Sequence, residues 1–260
     1  MITSQWARES LASIIWEEGK IFPVVEGPYR YRVVVHCSAN GRQKAMFANG
    51  EHNYFCYTEL LNGKGEWIQQ GSGIVPVLPD GRLLLVVEQR PAQSRYDDNP
   101  CLLKTGDNII DLDKFGPHSS LEFPGGAINP GEGLKAGFLR ELQEETEVDE
   151  QEALWYGCVR PVYLFGSDIA LRHYSHVVFL SGLSYQPHVK TDGGLDVLAL
   201  TNDEVQEAIW RGVITSGQAA LTTWNFYKEV CQARKDPSFE ALLQKQGYLA
   251  IEKVKIVKPA

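Results

Sequence analysis

The amino-acid sequence predicts an α+β protein in which a mixed β-sheet is flanked by helices and preceded by a small antiparallel β-rich section. Two observations predict this fold class. Most apolar runs are short and strand-like, and few helical segments interrupt them, whereas a doubly wound parallel sheet would alternate strands and helices regularly. In addition, one amphipathic helical segment directly follows a glycine turn at residues 125–126. The length of 260 residues suffices for one large domain or two small ones.

The first predicted section comprises residues 1–72. Its runs at 29–39 and 53–60 are rich in β-branched and aromatic residues, and Asn-Gly turns follow both of them. We expect a small antiparallel sheet here, serving as a lid or as a dimer element.

The second section, residues 73–236, begins with the clearest hairpin signal in the chain. Pro79-Asp80-Gly81 separates two apolar runs, the second of which is continuous enough for a central strand. The polar, turn-rich stretch at 91–119 is predicted to be irregular, and loops of that length are usually functional or disordered.

The remaining elements follow from periodicity and from turn and capping residues. A short strand enters the glycine turn at 121–128, and a helix is predicted from Leu134 to Glu145. Thr201 or Asn202 should cap a further helix that stops at Gly212. The other predicted elements are strands at 154–166, 173–183 and 195–200, a loop at 166–172, a helix at 217–235 and, in a C-terminal extension over 237–260, a possible strand at 249–259.

The composition argues against several classes of function. The chain has 33 acidic and 25 basic residues, and the net charge of −8 argues against a nucleic-acid surface. An anionic substrate is still compatible with it, because a metal ion can supply local positive charge. The five cysteines include no C-x-x-C pair, which is typical of thiols in a reducing compartment. With no membrane-length apolar run and no basic leader at the N-terminus, the cytoplasm is the expected location.

The helix that follows the glycine turn carries its acids in an unusual position. On a helical projection, Glu141 and Glu145 lie beside the apolar stripe of Leu134, Phe138 and Leu142. Bringing two carboxylates together beside apolar neighbours costs several kcal/mol, which is on the order of the free-energy cost of burying an unpaired charge. Hard divalent cations at that edge would offset this cost, since Mg²⁺ and Mn²⁺ prefer oxygen ligands. A surface helix with surplus acid is the alternative.

The spacing of this segment closely resembles the Nudix box, G-x5-E-x7-R-E-U-x-E-E-x-G-U, in which U is aliphatic. The matching positions are Gly126, Glu132, Arg140, Glu141, Leu142, Glu144, Glu145 and Val148. Glu147 stands where the family has glycine, and we expect the helix to run on or to end differently there. The resemblance implies the Nudix fold, an α/β/α sandwich, and hydrolysis of a nucleoside diphosphate linked to another group.

A longer resemblance, over about residues 73–234, is to the ADP-ribose and ADP-sugar pyrophosphatases. Glu88-Gln89-Arg90 and Glu122-Phe123-Pro124-Gly125-Gly126 occupy the positions of that branch's Glu-Gln-x-Arg and Glu-x-Pro-Ala-Gly motifs, with a shorter Gln–Arg spacing and with Gly125 in place of alanine. The downstream proline that often marks ADP-ribose enzymes has no counterpart at 164–172, and Pro161 lies too close to the box. Cleavage of NADH, coenzyme A or another nucleotide sugar stays open, as does a nucleotide-sensing module without turnover.

The resemblance also implies roles for single residues. Mg²⁺ or Mn²⁺ would be bound by Glu141, Glu145, Glu144 and the Gly125 carbonyl, with Arg140 pairing with box carboxylates and Glu132 fixing the start of the helix. Arg90 and Glu122 would contact the substrate, and Arg172 is a candidate phosphate contact. The general base would be Asp168, the only acid in the 166–176 segment, or Glu144. By the same resemblance, the N-terminal section suggests a homodimer.

Overall fold

The computed structural model describes residues 70–89, 102–105, 108–115, 119–129, 131–148, 150–166, 169–182 and 196–257, together with four strands nearer the N-terminus. The chain divides into two compact units. The first comprises Met1–Ile68 and Phe165–Ala170, and the second comprises Gln69–Leu164 and Leu171–Ala260.

The described part of residues 1–69 consists of four strands. They are β1 (Ile21–Val25), β2 (Arg30–His36), β3 (Phe55–Leu61) and β4 (Trp67–Ile68). The pairings β1–β2, β2–β3 and β3–β4 are all antiparallel. The connecting residues lie outside the described part of the chain, so the proposed extent of this section, residues 1–72, stays a prediction.

The rest of the chain supplies eleven more described strands and four α-helices. The strands are β5 (Gln70–Val77), β6 (Leu83–Gln89), β7 (Leu102–Thr105), β8 (Asn108–Asp111), β9 (Ser119–Glu122), β10 (Gly125–Ala127), β11 (Gln151–Cys158), β12 (Val162–Gly166), β13 (Ile169–Leu180), β14 (Asp196–Leu200) and β15 (Leu249–Ile256). The helices are α1 (Leu134–Thr146), α2 (Asn202–Trp210), α3 (Gln218–Ala233) and α4 (Pro237–Lys245).

The sheet of the second unit is mixed, as the sequence predicts. Strand β13 runs parallel to β5, from the pair Arg172–Gln70 to the pair Phe179–Val77, and antiparallel to β11. Strand β5 also pairs antiparallel with β10 and, at Val77–Leu83, with β6. Strand β15 pairs along the whole of β11, which confirms the predicted strand in the C-terminal tail.

Side chains that alternate along the central strands build two separate apolar layers. Ile74 of β5 packs in one layer with Phe138 and Leu142 of α1. Val75, its neighbour on β5, belongs to the other layer, which contains Trp224 of α3. Because successive strand residues point to opposite faces, helices cover both faces of this sheet. The predicted mixed sheet with flanking helices is confirmed.

Several local predictions are confirmed and others are wrong. The Pro79-Asp80-Gly81 turn connects β5 and β6, and Thr201 caps α2 by accepting a hydrogen bond from the backbone N–H of Glu204. The 91–119 stretch is not wholly irregular, because β7 and β8 form a hairpin and a 3-10 helix spans Leu112–Phe115. The predicted loop at 166–172 is also wrong in part, since β13 already begins at Ile169.

Helix α4 was not predicted, although its start signal is present in the sequence. The side chain of Asp236 accepts hydrogen bonds from the backbone N–H groups of Ser238 (3.0 Å) and Phe239 (3.3 Å). Pro237 occupies the first turn, where the missing N–H costs nothing. Among the described helices, none combines the length and apolar character needed to cross a membrane.

Candidate active site

Two glycines of β10 allow the backbone of β5 and a side chain of α1 to approach this strand closely. A Cβ atom on Gly125 would lie 2.0 Å from the carbonyl oxygen of Ser72 on the neighbouring strand β5. A Cβ atom on Gly126 would lie 2.5 Å from Oε2 of Glu141. The Glu141 carboxylate therefore occupies the space that any larger residue at position 126 would fill.

Arg140 connects the turn, the helix start and two of the carboxylates. Its Nε and Nη2 donate to the two carboxylate oxygens of Glu132, each over 3.0 Å, and Nη2 also donates to the Ala127 carbonyl over 2.8 Å. Its Nη1 donates to Glu141 over 2.6 Å and to Glu144 over 3.2 Å. These bonds hold the pKa of Glu132 below its usual range and raise that of Arg140. Strand β10 and helix α1 are thus joined through one guanidinium group.

Glu132 also closes the turn that precedes α1. Its Oε2 accepts from the backbone N–H of Asn129 over 2.9 Å and from the Asn129 side-chain amide over 3.2 Å. The residue before the helix, Gly133, offers no side chain for capping. Glu132 therefore lies at the helix start, where the sequence predicts that it acts.

The three acids on α1 differ in their surroundings. Glu141 is only 8% exposed, and burial raises its pKa although the Arg140 hydrogen bond acts in the opposite direction. Glu145 is half-buried, and its Oε2 accepts from the backbone N–H of Gly125 over 2.7 Å. Glu144 is exposed. Within the described ranges, no three His, Cys, Asp or Glu side chains converge closely enough in this conformation to form a metal cluster.

The end of α1 differs from the sequence-based expectation. The helix stops at Thr146, and Glu147 adopts the left-handed conformation (φ 51°, ψ 27°), with its N–H bonded to the Gln143 carbonyl over 3.0 Å. The prediction that the helix runs on or ends differently is wrong. Glu147 instead takes the backbone conformation that favours glycine, at a steric cost of about 1–2 kcal/mol.

The structure describes two of the three predicted substrate-binding residues, Glu122 and Arg172. Glu122 is the last residue of β9 and is buried, three positions before Gly125. Arg172 lies on β13 opposite Gln70 and is partly exposed. Arg90 and Asp168 fall outside the described residues, so their roles stay predictions.

Sequence reasoning missed several contacts of this region. Asn129 carries a usable signal, since it stands three residues before Glu132, the spacing of a side chain that closes a turn. The Ala127 carbonyl carries none, because its acceptor role depends on the tertiary packing of Arg140. His173 and His176 are buried and form hydrogen bonds that sequence reasoning also missed. His173 Nε2 bonds to Thr223 Oγ1 over 2.9 Å, and His176 Nδ1 accepts from Trp155 Nε1 over 3.0 Å.

The geometry at β10 and α1 coincides with a match to a known family. The family profile described as the NUDIX domain matches residues 68–219, more than half of the chain. The chain belongs to the NUDIX family. As a Nudix hydrolase, it hydrolyses phosphoanhydride bonds.

Three solved structures match the chain over most of their own lengths. A structure described as an ADP compounds hydrolase is 14% identical, with a TM-score of 0.48, and the match covers 85% of this Nudix chain and 98% of that one. The MutT protein from Methanosarcina mazei Go1 is 15% identical, with a TM-score of 0.31 and coverage of 53% and 79%. A NUDIX hydrolase from Nitrosomonas europaea is 16% identical, with a TM-score of 0.39 and coverage of 62% and 88%. No curated protein matches the chain.

Proposed function

We propose that this Nudix hydrolase cleaves the pyrophosphate linkage of a nucleoside diphosphate joined to another group, and that its substrate is ADP-ribose or an ADP-sugar. The products would be AMP and a sugar phosphate. The observation that carries the proposal is the buried Glu141 carboxylate, held between Arg140 and the glycine strand. The segments Glu88–Arg90 and Glu122–Gly126, which resemble the ADP-ribose and ADP-sugar branch, support this choice of substrate.

The donor set beside β10 fits a hard divalent cation. Burial disfavours the charged form of Glu141, and the Arg140 guanidinium bonded to it is shared with Glu132 and Glu144. A further positive charge would therefore be stabilised next to this carboxylate. Glu141, Glu144, Glu145 and the Gly125 carbonyl offer only oxygen ligands, the type that Mg²⁺ and Mn²⁺ prefer.

A bound Mg²⁺ or Mn²⁺ would neutralise charge on the phosphate oxygens and lower the pKa of a bound water. The protein's own groups would position the helix, accept the proton and contact the substrate. Arg140 and Glu132 keep α1 docked on β10, and the general base, Glu144 or Asp168, accepts the proton of the attacking water. The exposure of Glu144 supports its access to solvent.

Arg90, Glu122 and Arg172 would contact the substrate. As the water oxygen bonds to one phosphorus, the bond from that phosphorus to the bridging oxygen breaks.

The assembly and location belong to the same proposal. We infer a homodimer in the cytoplasm, with the N-terminal section as the dimer element. Neither nucleic acid nor a membrane is an expected partner, because the chain has 33 acidic residues against 25 basic ones.

A substrate panel tests this function. The full chain is incubated with ADP-ribose, ADP-glucose, NADH and coenzyme A in the presence of Mg²⁺ or Mn²⁺, and the nucleotide products are separated by chromatography. We expect AMP from ADP-ribose or ADP-glucose, and a loss of at least a hundredfold in kcat for Glu145→Gln, since one metal ligand is removed. Glu150→Gln, at an exposed acid paired with Lys255 beyond the helix, is the matched control and should keep full turnover.

The outcomes separate the parts of the proposal. Turnover of NADH or coenzyme A alone would reject the ADP-sugar substrate while leaving the hydrolase chemistry in place. Undiminished turnover by Glu145→Gln would reject the assignment of the metal ligands.

A further inference from the structure

Ser72 of β5 carries a buried hydroxyl that the folded chain does not use. The residue is 5% exposed, and its Oγ has no hydrogen-bond partner. Only one other buried side-chain atom in the described ranges shares this property, Nε2 of His176. An unsatisfied buried hydroxyl costs about 1–3 kcal/mol, and because most buried polar groups in folded proteins have a hydrogen-bond partner, this one calls for an explanation such as an ion or a role at the site.

The position of Ser72 directs this hydroxyl toward the acids of α1. Ser72 stands directly opposite Gly126 in the antiparallel pair of β5 and β10. Opposite residues point to the same face of a sheet, with Cβ positions about 5 Å apart. Since the Glu141 carboxylate lies 2.5 Å from the Cβ position of Gly126, the Ser72 side chain lies on the same sheet face as that carboxylate, across the strand pair from it.

Both oxygens of Glu141 lie over Gly126, Oε2 at 2.5 Å and Oε1 at 2.7 Å from its Cβ position. Oε1 also accepts the 2.6 Å hydrogen bond from Arg140. A cation that binds a Glu141 oxygen competes with Arg140 for the carboxylate. A second donor, on the β5 side, would then decide how the carboxylate is oriented.

We propose that Ser72 is a positioning residue for Glu141: its hydroxyl hydrogen-bonds to the Glu141 carboxylate, directly or through one water, when that carboxylate binds a divalent cation. This inference rests on the metal binding in the proposed function. Ser72 touches neither substrate nor metal in this role, and it acts by holding the ligand in its binding orientation. Hydrogen-bond partners of metal ligands typically change metal affinity by about 10–100-fold when they are removed.

Ser175 of β13, the strand that pairs with β5, provides a matched control for Ser72. It is 3% exposed and lies on β13 opposite Gly73, one position away from the register of Ser72. Because side chains alternate along a strand, Ser175 points to the sheet face opposite that of Ser72, the face covered by α3. Removing its hydroxyl changes a buried serine without approaching Glu141.

The test is a calorimetric titration of the full chain with Mn²⁺ alone, accompanied by thermal melts without metal. We expect Ser72→Ala and Ser72→Cys to bind Mn²⁺ about tenfold more weakly than the wild type, while their metal-free melting midpoints stay equal or rise. Ser72→Cys keeps the side-chain shape with a much weaker donor, so it distinguishes loss of the hydroxyl from a packing defect. Ser175→Ala should bind Mn²⁺ as the wild type does.

Two results would overturn the proposal in distinguishable ways. Equal Mn²⁺ affinity in the wild type and both Ser72 variants would show that the hydroxyl does not support Glu141, with the proposed metal binding intact. No Mn²⁺ uptake by the wild type would remove the metal itself, and with it both this inference and the metal part of the proposed function.

Discussion

Replacing Glu147 with glycine should stabilise the protein by about 0.5–1 kcal/mol. Glu147 is exposed and holds φ at 51° and ψ at 27° as the residue that ends helix α1. A non-glycine residue in this left-handed region costs about 1–2 kcal/mol. Glycine removes that cost but gives back about 0.4–1 kcal/mol, because the unfolded chain becomes more flexible. The difference is the expected gain.

Urea unfolding followed by circular dichroism measures this gain as a shift in the midpoint at constant slope. Glu147→Ala is the matched control, because it removes the carboxylate and keeps the Cβ atom that causes the strain. We expect Glu147→Ala to stay within about 0.5 kcal/mol of the wild type, as exposed substitutions usually do. If Glu147→Gly is no more stable than Glu147→Ala, the assignment of strain to this backbone position is refuted.

Two further predictions concern the site and the core. Gly126→Ala should lower turnover more than tenfold, because its Cβ would lie 2.5 Å from Oε2 of Glu141. Gly133→Ala is the control and should keep its turnover, because a Cβ atom at that position meets nothing within 4 Å. Equal activity of the two variants would contradict the packing argument. Burial lowers the pKa of His173 to about 4 and that of His176 to about 3, below the value of about 6.5 expected when unfolded. The unfolded state therefore binds more protons below pH 6.5, so each histidine should cost about 1 kcal/mol of stability between pH 7.5 and 5.5. Urea midpoints at the two pH values measure this loss, His173→Gln should reduce it, and a midpoint that does not fall would contradict the prediction.

The sequence predicts best the features that depend on neighbouring residues. The hairpin at Pro79-Asp80-Gly81 and the helix from Leu134 follow from turn chemistry and periodicity, both local properties. The order of the acids along α1 follows in the same way from spacing. The three acids could therefore be placed on one helix before the fold was known.

Some of the missed features carry a local signal, and others depend on contacts between distant segments. Gly106-Asp107 stands between the sequences of β7 and β8, and such a pair between strand-like runs is a local hairpin signal, but the flanking runs are short and lack regular alternation. The bond from Arg140 to the Ala127 carbonyl and the close approach of the Ser72 carbonyl oxygen to Gly125 arise only when β5, β10 and α1 come together. Glu147 shows the opposite case. A local rule predicts a changed helix end, whereas the helix ends in a left-handed residue whose N–H is bonded to the Gln143 carbonyl.

Calorimetric titration of the purified chain with Mg²⁺ and with Mn²⁺, each with and without ADP, decides whether the acids of α1 bind a divalent ion. We expect saturable uptake of a divalent ion that weakens at least tenfold in Glu141→Gln, since this substitution removes the buried charge that needs a cation. A chain that takes up neither ion, with or without ADP, would contradict this expectation.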